Sequence, residues 1–267
     1  MKFIKKIILN VLNYFNYILI NKNSYHSFKT AHNKNFKHFE YLYKKLLTIE
    51  NPIIFDVGGN LGQSIKLFKK HYPKSIIYSF EPINDCFNRM KSEFLNNEDI
   101  NIYNFAVGHK IEKKSFNVYE NSGHSSFFER NKNSNWFKKH NQTHIRERNQ
   151  FKLDEKEIDV DVITLDNFCE KYKIENIDLL KIDTQGYEEF VLEGSKNLLN
   201  ENKIKIIKLE MIFSDVYSKK HSFFDIEKHL QNNYRLISIN NFGNTLDDDI
   251  FSCDVIYVSK DLNFQSN

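Results

Sequence analysis

The chain has 267 residues, 40% hydrophobic and 15% aromatic, with 38 Lys and Arg against 35 Asp and Glu for a net charge of +3. With a mean hydropathy of −0.57, this composition excludes a disordered chain and is too weakly basic to argue nucleic-acid binding. Three distant cysteines (Cys86, Cys169, Cys253) without a C-x-x-C pair exclude a disulfide framework or zinc knuckle and fit a reducing, cytoplasmic compartment.

In chain order, residues 1–50 read as a helical segment. Apolar positions 4, 7, 8, 11, 12, 15, 18 and 19 share one helical face, while Asn10, Asn13 and Asn16 recur every three residues. The segment is too short and polar to span a bilayer, and no small-residue cleavage site follows it. It is expected to pack on its own domain or against a second copy of the chain, giving a homo-oligomer. Lys2, Lys5 and Lys6 leave weak attachment to a membrane surface as the alternative. Residues 36–49 carry a second helical pattern.

From 51 to 260, apolar strands alternate with amphipathic helices. Strands are expected at 53–57, 75–80, 100–107, 114–120, 159–165, 177–183 and 204–213, and helices at 64–72, 85–96, 166–172, 187–200 and 223–233. The segments 234–240 and 253–259 close the chain as an antiparallel hairpin around Gly243. This alternation predicts one α/β domain with a mostly parallel sheet covered on both faces. Residues 129–157 interrupt it with a polar insertion carrying eight Lys/Arg against five Asp/Glu. The insertion reads as a solvated loop, or as a lid in which Lys138, Lys139, Arg146 and Arg148 meet phosphates.

The chemistry begins at residues 53–64, IIFDVGGNLGQS. A buried strand runs through Gly58, Gly59 and Gly62 into a helix, which lets backbone approach a ligand beside the free N–H groups of a helix N-terminus. Positions 60 and 63 are Asn and Gln, so the G-x-G-x-x-G dinucleotide fingerprint is absent. An acid just before the glycines, here Asp56, is instead a habit of S-adenosylmethionine sites. Two further strands end on acids where ligands gather in open α/β sheets: Glu81 after YSF and Asp183 after IDLLKI. Glu210, in IIKLEMIF, sits one strand further on.

FDVGGNLGQS, SFEP, NFAVG, ITLD, LLKIDTQGYEEFVLEG and KLEMIF resemble, in order, the FkbM family of S-adenosylmethionine-dependent methyltransferases, over roughly residues 50–215. The resemblance implies the class I methyltransferase sheet of seven strands, the last two antiparallel. It implies that Asp56, Gly58, Asn60 and Gly62 hold the methionine end of the cofactor and Glu81 its ribose. Asn104, Ala106 and Val107 would lie near the adenine. Members often methylate hydroxyls of sugars or polyketides, so the expected acceptor is a sugar hydroxyl, nucleotide-linked or in a surface polysaccharide.

Methyl transfer to a hydroxyl needs positioning and a destination for the proton. Asp183, His124 (in NSGHSSFF) and Glu188 (in QGYEE) are the candidate catalytic groups, with Ser125, Ser126 and Gln185 as candidate acceptor contacts. Asp183 and Glu210 are also candidate ligands for Mg²⁺ or Mn²⁺. Several competing readings fit less well. The chain has no Pro-Pro anywhere, which argues against methylation of base or glutamine nitrogens, and the glycine spacing is wrong for a nicotinamide dehydrogenase. The insertion makes a poor RNA-stacking platform. The last competing reading is a non-catalytic, degenerate cofactor-binding protein acting as an assembly partner, and the intact Gly58, Gly62, Glu81 and Asp183 speak against it.

Overall fold

The strands observed are β1 (Ile53–Val57), β2 (Ile76–Phe80), β3 (Ile100–Tyr103), β4 (Ala106–Val107), β5 (Glu112–Val118), β6 (Lys156–Ile163), β7 (Ile177–Ile182), β8 (Ile204–Ile212), β9 (Tyr234–Asn244) and β10 (Ile250–Ser259). They come from a computed structural model that describes residues 42–134, 137, 153–219, 221–244 and 250–262. The expected N-terminal amphipathic helix, with its subunit or membrane contacts, lies outside the described residues. So do most of the 129–157 insertion and its Lys138, Lys139, Arg146 and Arg148.

Seven strands form one sheet in the order β3-β2-β1-β7-β8-β10-β9. The first five pair in parallel, and β10 runs antiparallel between β8 and β9. The α/β class and the closing hairpin therefore hold, with the last strand inserted one place from the edge. The expected strand at 100–107 breaks after Tyr103. Those expected at 114–120 and 159–165 begin earlier, at Glu112 and Lys156, and join β4 in a separate three-stranded sheet, β4-β6-β5. Burial explains the split. In β6 only Val160 and Val162 are buried, one face of an alternating strand, whereas all six residues of β7 are buried, as a central strand requires. Lys156 and Glu157, expected in the polar insertion, thus open β6. The helix expected over 187–200 divides into Glu188–Glu193 and Lys196–Asn200.

Alternate residues of each central strand feed two cores. Phe55, Leu180, Ile207 and Val255 face the helices Leu165–Tyr172, Glu188–Glu193 and Phe223–Leu230. Ile54, Ile77, Leu179, Ile206 and Ile256 face the helices Gln63–His71 and Asn84–Glu93, together with Tyr43, Leu46 and Leu47. Each fully buried aliphatic side chain contributes about 1.5–3 kcal/mol, so the two cores hold the strand ends rigidly. No helix among the described residues is long and apolar enough to cross a membrane. The parallel strands β1, β2, β3, β7 and β8 all end on one edge of the sheet, and the loops leaving that edge build the site.

Candidate active site

The loops after β1, β2, β3 and β7, roofed by residues 122–127, line a cavity. Gly58, Asn60, Glu81, Phe105, Ala106, Val107, Ser122, Ser125, Asp183 and Gln185 are among its walls. The backbone after β1 turns through left-handed conformations at Gly58 (φ 82°), Asn60 (φ 49°) and Gly62 (φ 77°). Asn tolerates this region better than other residues with a Cβ. Asn60 therefore does a glycine's work, and the loop needs no dinucleotide spacing.

Glu81 is buried, with its Oε2 accepting the Asn60 N–H at 2.7 Å and its Oε1 the Ile83 N–H at 2.8 Å. Burial raises its pKa to about 7 against the opposing pull of these two donors. Each oxygen keeps lone-pair capacity for a ligand hydroxyl on the cavity side. Asn104 braces this corner, its amide donating to the carbonyls of Glu81 and Pro82 at 2.9 and 3.0 Å, while Ala106 and Val107 form the neighbouring wall. Gly62 caps the helix Gln63–His71 and does not line the cavity.

Asp56 does not line it either. Its carboxylate is fully buried, 3.0 Å from Lys181 Nζ and accepting from Ser79 Oγ at 3.2 Å. On β1 it points to the same face as Ile54 and, where a cofactor contact was expected, forms an ion pair beneath the loop.

Asp183 does reach the cavity, with 40% of its side-chain surface accessible. Its Oδ2 lies 3.6 Å from Lys181 Nζ, and its Oδ1 accepts from Gln185 Nε2 at 3.0 Å. Burial pushes its carboxyl up, but Lys181, then Lys208 and the Gln185 amide, outweigh that and hold it below the usual range. Gln185, itself left-handed at φ 54°, also donates from Nε2 to Glu210 Oε2 at 2.9 Å. The Tyr217 hydroxyl shares its one proton between the His124 carbonyl at 2.8 Å and Gln185 Oε1 at 3.0 Å, on the side of the amide away from the two acids. Asp183 and Glu210, the expected metal pair, thus meet at one amide. An amide donor bridges Asp183 and Glu210, and among the described residues no third His, Cys or acid completes a metal cluster with them. Burial first, then the Asp183 charge, raises Glu210 to about 8.

The remaining candidates separate. His124 closes the short 3₁₀ turn Ser122–His124; its neighbours Gly123 and Ser125 line the cavity and its side chain does not. Glu188 is fully buried and away from the cavity. It accepts from the Thr184 N–H, the Thr184 hydroxyl and the Gly186 N–H, and pairs with His221 Nε2 at 3.3 Å. Burial raises its pKa, with His221 opposing. Glu188 holds the 184–187 loop together and does not itself line the cavity. Ser125 lines the cavity, whereas Ser126 is buried behind it, donating to the Gln185 carbonyl at 2.7 Å. Sequence reasoning missed Lys181, Tyr217 and Ser122, the last donating to Asn60 Oδ1 at 2.6 Å. A signal existed for Lys181 alone: a cation inside an otherwise apolar strand, two residues before an acid.

The family description "Methyltransferase FkbM domain" matches residues 56–236. The chain is 25% identical over 158 residues to the 2-O-methyltransferase NoeI of Sinorhizobium fredii, covering 59% of this chain and 63% of that protein. It is 29% identical over 149 residues to Methyltransferase 1 of Beauveria bassiana, covering 54% and 59%. The chain thus spans about three fifths of the length of these curated relatives. Among solved structures, the magnesium protoporphyrin IX methyltransferase of Synechocystis PCC 6803 with bound S-adenosylmethionine aligns over 96% of this chain and 97% of its own, with a TM-score of 0.46 and 10% identity.

Proposed function

Since the chain belongs to the FkbM methyltransferase family, we propose that it transfers a methyl group from S-adenosylmethionine to a hydroxyl of a sugar, nucleotide-linked or within a surface polysaccharide. One observation carries the reading: a single cavity is walled by Glu81, a carboxylate clamped by two backbone N–H groups, and by the partly accessible Asp183. The residues present fit the donor. Glu81 offers two acceptor oxygens to a ribose diol, the left-handed turn at Gly58 and Asn60 brings backbone to the cavity, and Phe105, Ala106 and Val107 give an apolar wall for a base. The relative described as a 2-O-methyltransferase supports oxygen as the acceptor atom. Buried free thiols at Cys86, Cys169 and Cys253 support a cytoplasmic site of action.

When bound, S-adenosylmethionine supplies a methyl group on a sulfonium, already activated for displacement. The chain's task is alignment. Asp183 accepts a hydrogen bond from the acceptor hydroxyl and turns an oxygen lone pair toward the donor. A carboxylate held ionised is a weak base, yet it suffices. With the C–O bond formed, the S–CH3 bond broken and the thioether leaving neutral, the acceptor oxygen would be far more acidic than a carboxylic acid and would pass its proton to Asp183. The Gln185 amide keeps Asp183 in one rotamer meanwhile.

Calorimetric titration of S-adenosylhomocysteine into the protein and a Glu81→Ala variant tests the donor site, and methyl transfer from labelled S-adenosylmethionine to a panel of nucleotide sugars tests the acceptor. Micromolar binding that Glu81→Ala loses, with label entering a sugar, is the expected result. Absence of binding to the parent protein would overturn the donor assignment. Label entering only amines would overturn the hydroxyl.

A further inference from the structure

Lys181 lies in the middle of the sheet, with 8% of its side chain exposed, at a strand position otherwise suited to an aliphatic residue. An ammonium has three N–H donors, and three oxygens surround this one: Gly58 O at 3.0 Å, Asp56 Oδ1 at 3.0 Å and Asp183 Oδ2 at 3.6 Å. The first two are hydrogen-bond distances and the third is an ion-pair distance. Asp56 makes the buried cation tenable. It is itself fully enclosed, anchored by Ser79, and has no access to the cavity, so its evident task is to neutralise Lys181. The other two oxygens belong to different halves of the site. Gly58 starts the loop that approaches the methyl donor, and Asp183 is the acid that faces the acceptor.

We propose that Lys181 is a positioning residue that clamps the Gly58 turn and the Asp183 carboxylate into one unit, fixing the distance between the donor loop and the acceptor acid. This rests on the methyl-donor reading of the cavity. Its backbone counterpart is already visible: the Asp183 N–H donates to the Val57 carbonyl at 3.0 Å, so main chain and side chain cross between the same two loops. Asp183 is then held at both oxygens, by Lys181 at Oδ2 and by Gln185 at Oδ1, although its side chain is partly open to solvent. Released from Lys181, the Gly58 carbonyl would lose its only side-chain donor among the described residues, and the loop would be free to shift where it meets the amino-acid end of the donor.

The test compares two ligands on the full chain. S-adenosylhomocysteine spans the adenosine and amino-acid ends of the site, whereas 5′-methylthioadenosine lacks the amino-acid end. The variants are Lys181→Met and the double variant Asp56→Asn/Lys181→Met, which removes the buried carboxylate that the single change would orphan and so protects folding. The clamp predicts that both folded variants lose about tenfold or more in S-adenosylhomocysteine affinity while 5′-methylthioadenosine affinity stays within roughly twofold of the parent. Parental affinity for both ligands in the folded double variant, or an equal loss of both, would overturn the clamp alone. Failure of the parent protein to bind either ligand would overturn the methyl-donor reading and the clamp with it.

Discussion

A Cβ built on Gly58 would stand 2.0 Å from the carbonyl oxygen of Asp183, well inside the closest approach real atoms allow. The glycine loop and the Asp183 loop therefore touch through backbone, at a residue whose φ of +82° already disfavours any side chain. Gly58→Ala meets both obstacles. Left-handed strain and forced separation of two packed loops together cost about 2–5 kcal/mol. Urea denaturation should show a loss of that size, and S-adenosylhomocysteine binding should disappear in whatever fraction remains folded. A variant with parental stability and affinity would show that the loops are not held in this contact.

Binding of the donor should be linked to protons through Glu81. Its pKa in the free protein stands at about 7, raised by burial. Ribose hydroxyls donate to the ionised carboxylate and favour it, so binding lowers this pKa and expels a proton from the fraction still protonated. Affinity for S-adenosylhomocysteine should weaken as pH falls below about 7, by about tenfold per pH unit at most. Calorimetry in two buffers of different ionisation enthalpy measures the released protons directly. A pH-independent affinity across this window would remove Glu81 from the ligand contacts.

Much of this site could be read in advance because its signals are local. The glycines of 58–62 and the acids ending YSF and IDLLKI are properties of short stretches, and the cavity forms where they converge. What could not be read depends on register. Asp56 and Lys181 meet because β1 pairs with β7 in parallel, with those two residues side by side. No pattern within either strand states that pairing, so the ion pair could not be read, although the face of Asp56 could. Strand alternation alone would have put Asp56 on the face of Ile54, which is where it lies. Tyr217 orients Gln185 from a loop 32 residues away, which no spacing rule reaches.

Glu210 should make the protein less stable as pH rises. Its pKa goes from the ordinary 4.5 to about 8 in the fold, so between those values the folded chain binds more protons than the unfolded one. Stability is then present at the acid end of the window and falls as pH rises through about 8. Glu81 acts in the same direction up to about 7. Asp183, held low, loses its contribution only at more acid pH. Glu210→Gln removes the cost of ionisation, so its melting temperature should gain on the parent's as pH rises across the window. Parallel curves for the two proteins would contradict the assignment.

Glu188 should behave as a structural carboxylate. Its oxygens satisfy two backbone N–H groups and one hydroxyl in the 184–187 loop, and it faces His221. Glu188→Ala orphans those donors and should cost about 2–4 kcal/mol of stability. Donor affinity should fall with it, through the neighbouring Asp183 loop. A variant that kept its thermal stability but lost methyl transfer would instead return Glu188 to the reacting groups.

The Gln185 amide makes a prediction about metals that its own replacement can test. Nε2 lies 3.0 Å from one acid and 2.9 Å from the other, while Oε1 is held by Tyr217, so the group facing the two carboxylates is a donor without lone pairs to offer a cation. Gln185→Glu would put a third carboxylate oxygen at that point. Three such oxygens within hydrogen-bond distance repel one another and form the start of a hard-cation site. The variant should be destabilised without metal and regain melting temperature on titration with Mn²⁺ or Mg²⁺, because a ligand that binds only the folded state stabilises it by mass action. The parent, with the amide in place, should show no such rise. If Mn²⁺ stabilised the parent equally, and Asp183→Asn abolished the effect, the two acids would be metal ligands after all and Gln185 would have to swing aside to admit the ion.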